Sequence, residues 1–222
     1  MGTMVKPVIA ILGGTGDLGG GLARRWGKSG YEIIIGSRTC EKAEAAAQGI
    51  AKQVNGKVSG FDNLAAAEKG DIVVLTVPFF YHQSSLMQVK TALAGKILID
   101  VTVPLMPPKV GLVQLPDGGS AGQIAQDLLG EGVKVISAFQ NVAAQHLNSD
   151  HEIDCDVLVT GNDKAARETV IALAADAGMR AFHAGPIGNA AAAEAMTSVL
   201  IQINRQYKCH AGIHITGPVR AD

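Results

Sequence analysis

Gly14-Thr15-Gly16-Asp17-Leu18-Gly19 stands between an aliphatic run, Val8-Ile9-Ala10-Ile11-Leu12, and an apolar stripe at Leu18, Leu22 and Trp26 whose spacing is helical. No other feature limits the fold as much. A strand, a glycine-rich turn and a helix in that order open a βαβ unit of the kind that takes a dinucleotide. In such a turn the first glycine, Gly14, allows the tight bend, and the second, Gly16, lets backbone approach a pyrophosphate. The third, Gly19, lets helix and strand pack closely, while the helix N-terminus aims its N–H groups at the anion. Gly14, Thr15, Gly16, Asp17 and Leu18 are therefore candidate cofactor-binding residues.

The rest of the chain repeats the alternation. Strand-length apolar runs over 32–35, 71–75, 96–99 and 133–137, with a short one from Val58, are separated by helical patterns such as Ala43, Ala46, Ala47, Ile50, Ala51 and Val54. Asp62 and Ser120 are placed to cap helices. Strands apolar on both faces and spaced by helices imply an α/β protein with a doubly wound, Rossmann-type parallel sheet. Residues 101–119 break the rhythm with Pro104, Pro107, Pro108 and Pro116 and read as an irregular excursion over the sheet edge. Short strands at 156–160 and 180–183 and helices at 163–177 and 189–206 follow. In the last helix Met196, Val199, Leu200 and Ile203 fall on one face. The pattern divides the chain into a Rossmann domain over 1–150 and a small C-terminal α/β lobe over 151–222 that completes the sheet and the ligand cleft.

Composition removes several classes of function. The chain has 222 residues, of which 47% are hydrophobic, enough for a core and incompatible with disorder. Lys plus Arg is 19 and Asp plus Glu is 20, a net charge of −1, which argues against a nucleic-acid or anionic-membrane face. Three distant cysteines, Cys40, Cys155 and Cys209, without C-x-x-C, point to neither a disulfide scaffold nor a thiolate zinc site. Met1-Gly2-Thr3-Met4-Val5-Lys6 carries no apolar leader block, and no run approaches the length of a membrane span. A cytoplasmic protein is expected.

The second strand selects the cofactor. An acid at its end would bond the ribose 2′-hydroxyl of NAD. Here the strand ends Gly36-Ser37-Arg38-Thr39, with no acid. Arg38 presents a planar fork suited to a 2′-phosphate, Ser37 a hydroxyl and Lys42, a helical turn on, a point charge. The pattern predicts NADP(H), which makes 1–150 the NADP-binding domain.

Other patterns are weaker. Gly118-Gly119-Ser120-Ala121-Gly122 has the spacing of a hydrolase elbow, but Leu115-Pro116-Asp117 precedes it where a strand is required. His210 and His214 lack the glutamate of H-E-x-x-H. The acids and histidines between His146 and Asp156 read as a solvated loop, and no metal is expected. His183 reads as a buried, hydrogen-bonded histidine. None of Tyr31, Tyr81 and Tyr207 has a lysine four residues on, so the usual tyrosine–lysine proton relay is missing. A dinucleotide site with no evident acid or base suggests a hydride acceptor that needs little proton help, and no catalytic residue is assigned.

Beyond these motifs the chain resembles the NADPH:coenzyme F420 oxidoreductases (F420-dependent NADP reductases) over nearly its whole length. The first residues that carry the resemblance are Leu12-Gly13-Gly14-Thr15-Gly16-Asp17-Leu18-Gly19 with Gly36-Ser37-Arg38. Leu75-Thr76-Val77-Pro78, Val103-Pro104 and Ser137-Ala138-Phe139 follow in the middle of the chain. Asp156-Val157-Leu158-Val159, Ala184-Gly185-Pro186 and Tyr207-Lys208-Cys209-His210-Ala211-Gly212-Ile213 close the set. The resemblance implies hydride transfer between NADP(H) and coenzyme F420, a 5-deazaflavin co-substrate. It places a pyrophosphate on Thr15, Gly16, Asp17 and Leu18 and a 2′-phosphate on Ser37, Arg38 and Lys42. It sets Val77, with Pro78 beside it, Val103 and Ala138 along the ribose and nicotinamide.

Departures from the family pattern fall on the acceptor side and the C-terminal lobe. Gln140 stands where histidine is expected and Ala143 where proline is, while Ala191 replaces a common arginine and His183 a common aspartate. Gln140 and Asn141 are expected to contact the acceptor. Two alternatives stay open: an NADPH-dependent reductase of another planar or small acceptor, and a non-catalytic NADP(H)-binding sensor. The partner expected is a small-molecule hydride acceptor, with neither nucleic acid nor membrane. The broad apolar surface of the last helix, where Ile201 lies off the main stripe, predicts a homodimer.

Overall fold

The computed structural model describes residues 6–217; residues 1–5, part of the segment expected to carry no leader, and residues 218–222, the last of the lobe expected over 151–222, lie outside them. The sheet forms because its strands are apolar on both faces. Every residue of β1 (Ile9–Leu12), β2 (Ile33–Ser37) and β4 (Ile72–Leu75) is buried. Alternate side chains leave a strand on opposite faces. Ile9 and Ile11 accordingly join one core with Leu22, Trp26, Val170 and Leu173, whereas Ala10 and Leu12 join another with Leu86, Val89 and Ala125. The first core lies under α1 (Asp17–Lys28), α2 (Cys40–Ala51) and α7 (Lys164–Asp176), the second under α3 (Asn63–Lys69), α4 (His82–Val89) and α5 (Ala121–Leu129).

The strand order is β3-β2-β1-β4-β5-β6-β7-β8, with β3 Val58–Asp62, β5 Ile97–Asp100, β6 Lys134–Ser137, β7 Val157–Gly161 and β8 Ala181–His183. β1 pairs with both β2 and β4, so the order reverses between β1 and β4. Ligands of open α/β sheets bind outside the carboxyl ends of the strands at such a switch point.

Three details differ from the sequence reading. The sheet is parallel only through β6: β7 runs antiparallel to it through Ile136↔Gly161 and Ser137↔Thr160, and β8 then follows β7 in parallel. The short helix α6 (Ala144–Leu147) and the loop after it do not return the chain for a parallel strand. The excursion after β5 does not cross a sheet edge, because β5 is an interior strand. It runs instead against α8 (Ala190–Tyr207), where Val103, Pro104 and Leu115 line a small cavity with Glu194, Ala195 and Ser198. On α8 the buried positions are Ala190, Ala193, Glu194, Ser198 and Leu200, while Met196 and Val199 face solvent. Small residues point inward because α8 lies close against α5: a Cβ placed on Gly122 would come within 3.3 Å of the Ala190 Cβ.

The segment after β6 is pinned from the side. Trp26 is fully buried, donates from Nε1 to the Leu173 carbonyl at 2.8 Å, and meets Phe139 edge-on at 5.8 Å. Phe139 holds a φ of 71°, which costs energy for a side chain of this size and is sustained by that packing. Further on, Arg25 donates to the carbonyls of His146, Leu147, Ser149 and His151, tying the loop around α6 to α1.

Candidate functional site: the cleft at the strand-order switch

At the end of β1 the bend is made by Gly13, whose φ is +76°. The tight-turn role expected of Gly14 belongs to its neighbour. Gly14 is instead sealed, since a Cβ there would lie 2.8 Å from the Ile11 carbonyl oxygen. Gly19 permits the close helix–strand approach: a Cβ would stand 2.6 Å from Thr76 Oγ1 and 2.9 Å from the Gly14 Cα. Gly16 differs from both. A Cβ on it would meet only the Gly13 carbonyl, at 3.6 Å, and would otherwise occupy the cleft. Gly16 is also the N-cap of α1 and supplies no side-chain acceptor, so the first N–H groups of that helix are left for a ligand.

These residues open one wall of a cleft of about 670 Å³ over the carboxyl ends of β1, β2, β4 and β5. Thr15, Gly16, Asp17 and Leu18 border it from the turn, and Ser37, Arg38 and Lys42 from the end of β2. Val77, Pro78, Tyr81 and Val103 form the opposite wall. Ser37 is buried; Arg38 and Lys42 are exposed and form no ion pair with a described carboxylate. The Arg38 guanidinium carbon lies 5.7 Å from the Tyr81 ring centre, which brings an aromatic face beside the cation. Cations without partners, beside helix N–H groups and a glycine that leaves room for backbone approach, suit a phosphorylated dinucleotide.

Four of the residues singled out in sequence do not border this cleft. Gly14 is the sealed turn glycine, and Ala138 is fully buried at the end of β6. Gln140 and Asn141 have their side-chain amide nitrogens committed inside the protein. Gln140 Nε2 donates to the Asp100 carbonyl at 2.9 Å and to Ser137 Oγ at 2.7 Å. Asn141 Nδ2 donates to the Ala193 carbonyl at 2.9 Å and to Thr197 Oγ1 at 3.2 Å. Both border a second groove of about 480 Å³, walled also by Val142, Leu200, Ile201 and Arg205. His183 is exposed, not buried, and accepts from Arg167 Nε at 3.3 Å.

A buried polar network that the sequence did not announce underlies the β5 side of the cleft. His82 Nε2 and Asp100 Oδ2 are 2.6 Å apart, with both side chains 1% exposed. Burial alone would lower the His82 pKa, but the Asp100 carboxylate beside it raises it. Asp100 Oδ1 accepts the Thr102 backbone N–H at 3.0 Å and so fixes the start of the segment that carries Val103. Across β6, Glu194 of α8 accepts the N–H groups of Ala121 at 2.6 Å and Gly122 at 3.0 Å, at the N-terminus of α5. Ser120 Oγ accepts Gln123 N–H at 2.9 Å and completes that cap. Burial pushes the Glu194 carboxyl up to about 7, against those two N–H donors. A lone acid ending an apolar strand, Asp100, and another inside an apolar helix, Glu194, were the available signals.

A mostly parallel, doubly wound sheet with a glycine turn feeding an uncapped helix at the switch point defines a Rossmann-type dinucleotide fold. Comparison with known proteins narrows this. The family model described as NADP oxidoreductase, coenzyme F420-dependent, matches residues 8–104. The chain is 44% identical over 219 residues to the F420-dependent NADP reductase of Methanocaldococcus jannaschii, covering 94% of this chain and 97% of that one. It is 41% identical over 218 residues to the enzyme of that name from Methanothermobacter marburgensis, with 94% and 97% covered. A crystal structure of an Arthrobacter sp. FB24 protein, described as an F420-dependent NADP-reductase, superposes with a TM-score of 0.74 at 26% identity, covering 90% of this chain and 94% of the other. The chain belongs to the family of F420-dependent NADP reductases.

Proposed function

We propose that this protein transfers a hydride between NADP(H) and coenzyme F420. The observation that carries this reading is one cleft that joins a glycine turn, an acid-free cationic end of β2 and the aliphatic ends of β4 and β5. The names of the relatives from M. jannaschii and M. marburgensis, each an F420-dependent NADP reductase, support the same pair of substrates. When bound, the nicotinamide supplies a hydride from C4 that the deazaflavin takes at C5.

The chain's own residues bind, orient and exclude water. The N–H groups at Thr15, Asp17 and Leu18 suit the pyrophosphate, with Gly16 leaving the space it needs. Ser37, Arg38 and Lys42 suit the 2′-phosphate, and Arg38 adds a planar fork that a lysine would not. Val77 and Val103 would flank the nicotinamide ring with aliphatic surfaces that offer no exchangeable proton and displace solvent. Holding two rings at reacting distance is itself a large part of such a reaction, since orientation converts a bimolecular step into a unimolecular one. Gln140 and Asn141 hold the groove beside α8 in shape through their amide nitrogens, while both residues still line it.

The test is to mix the purified protein with NADPH and oxidised F420 and follow the deazaflavin's visible absorbance. Its loss is expected; an unchanged spectrum at generous enzyme concentration rejects the reading. We further propose a cytoplasmic homodimer covering the outer face of α8. Met196 and Val199 are 40% and 42% exposed there and Tyr207 is 74% exposed, an apolar surface that a two-fold contact would bury. Among the described residues no helix is long and apolar enough to cross a membrane. Light scattering should give about twice the 22.9 kDa chain mass, and a monomer would remove the assembly proposal.

A further inference from the structure

Among the described residues, three buried side-chain polar atoms lack a hydrogen-bond partner: Asn63 Oδ1, His82 Nδ1 and Thr102 Oγ1. They are not scattered. Asn63 and Thr102 both border the cleft, and His82 belongs to the pair that fixes the Thr102 backbone through Asp100. Asn63 is 5% exposed and Thr102 3%. Buried polar groups left without partners are uncommon, and each calls for a reason.

Their positions suggest one. Asn63 opens α3 directly after β3, and its Oδ1 lies 3.0 Å from where a Cβ on Gly36 would stand, beside Ser37. Thr102 follows β5. The sheet order β3-β2-β1-β4-β5 therefore sets the two at opposite ends of the cleft, with the glycine turn between them. Four strand spacings of about 4.8 Å separate those ends. A ligand lying across the turn with its pyrophosphate on α1 reaches both.

We propose that Asn63 and Thr102 are two specificity contacts for the bound dinucleotide, Asn63 at the adenosine 2′-phosphate end and Thr102 at the nicotinamide end. Rotation about the Thr102 Cα–Cβ bond swings its hydroxyl toward the cleft while Asp100 keeps the backbone fixed. The hydroxyl suits a carboxamide or ribose hydroxyl, since it donates and accepts. The Asn63 amide has one end sealed against β2, and the group suits a base edge or a phosphate oxygen according to which end is turned outward. His82 and Asp100 are positioning residues in this arrangement.

The inference rests on the NADP(H) reading, and the test separates the two. Thr102→Val, Thr102→Ser and Asn63→Leu are titrated with NADPH and with adenosine 2′,5′-bisphosphate, and their melting temperatures are taken without ligand. Thr102→Val is expected to bind NADPH about three- to tenfold more weakly, the bisphosphate unchanged, with no loss of ligand-free stability because no bond is broken. Thr102→Ser is expected to retain wild-type affinity. Asn63→Leu is expected to weaken both ligands by a similar factor. Wild-type affinity for NADPH in Thr102→Val and Asn63→Leu overturns the inference alone, as does a ligand-free melting temperature that falls in step with affinity. Failure of the wild-type protein to bind NADPH overturns the functional reading and this inference with it.

Discussion

The cleft over β1, β2, β4 and β5 and the groove beside α8 treat their polar groups in opposite ways. Among the described residues, Arg38 and Lys42 in the cleft form no ion pair, α1 begins without a side-chain cap, and Asn63 and Thr102 hold buried atoms with no partner. In the groove, the Gln140 and Asn141 amides each donate two hydrogen bonds within the protein. The first region is built with its bonding capacity reserved for something absent from the chain. The second spends that capacity on holding α8, β6 and the segment after β6 together. Polar residues near a site divide into these two kinds, and only the accounting of bonds tells them apart.

The sharpest break in this comparison comes from Gly16→Val. A Cβ at Gly16 meets little protein, so the variant should fold with a melting temperature close to wild type yet lose NADPH binding altogether. Calorimetric titration beside a thermal melt checks both halves. Binding like wild type would show that the turn does not hold the cofactor.

Glu194→Gln probes the committed side. The folded-state pKa of Glu194 is raised from 4.5 to about 7, so between those values the folded protein keeps a proton that the unfolded chain has released. The stability this confers is complete below the lower value and is lost as pH rises through the higher one. Its size is of order 3 kcal/mol. Denaturant midpoints measured across that interval should fall with pH in the wild type and flatten in the variant. His82, also raised, keeps a slope of the same sign above its ordinary value. An unaltered profile would mean that Glu194 titrates normally.

Arg38→Ala returns to the reserved side. A charge-assisted contact contributes about 1.5–3 kcal/mol, so the KM for NADPH should rise about tenfold or more while that for NADH stays nearly level. Equal losses for both would show that Arg38 does not read the phosphate. The smallest effect is expected from Asn141→Ala, which should lower stability by about 1–2 kcal/mol and leave NADPH affinity unchanged. A selective loss of acceptor turnover in that variant would put Asn141 back among the acceptor contacts.

What could be read from sequence follows the same division. The turn from Gly13 to Gly19 and the end of β2 are local: their chemistry lies within a few residues, so Ser37, Arg38 and Lys42 could be grouped from sequence, and the structure sets them on one edge of the cleft. The one-residue shift from Gly14 to Gly13 was not legible, because two adjacent glycines satisfy the same pattern and only φ distinguishes them. The direction of β7 was hidden for a related reason, since Val157-Leu158-Val159 is equally apolar in either polarity. The Asn141 amide is held by Ala193 and Thr197, more than fifty residues away, and the Gln140 amide in part by Asp100, forty residues back, and no local signal carries either. On α8 the sequence sets Met196, Val199, Leu200 and Ile203 on one face, but of these only Leu200 is buried, because close approach to α5 selects Ala190 and Ala193.

The central claim is direct hydride passage from the nicotinamide to a deazaflavin held against the β4–β5 wall. It is tested by supplying NADPH deuterated at both C4 positions, with F420, in ordinary water, and weighing the reduced deazaflavin by mass spectrometry. The account predicts that the product carries one deuterium from the nicotinamide. Reduced product without deuterium would contradict it, because the hydrogen would then have come from solvent and the two rings would not have met in the cleft.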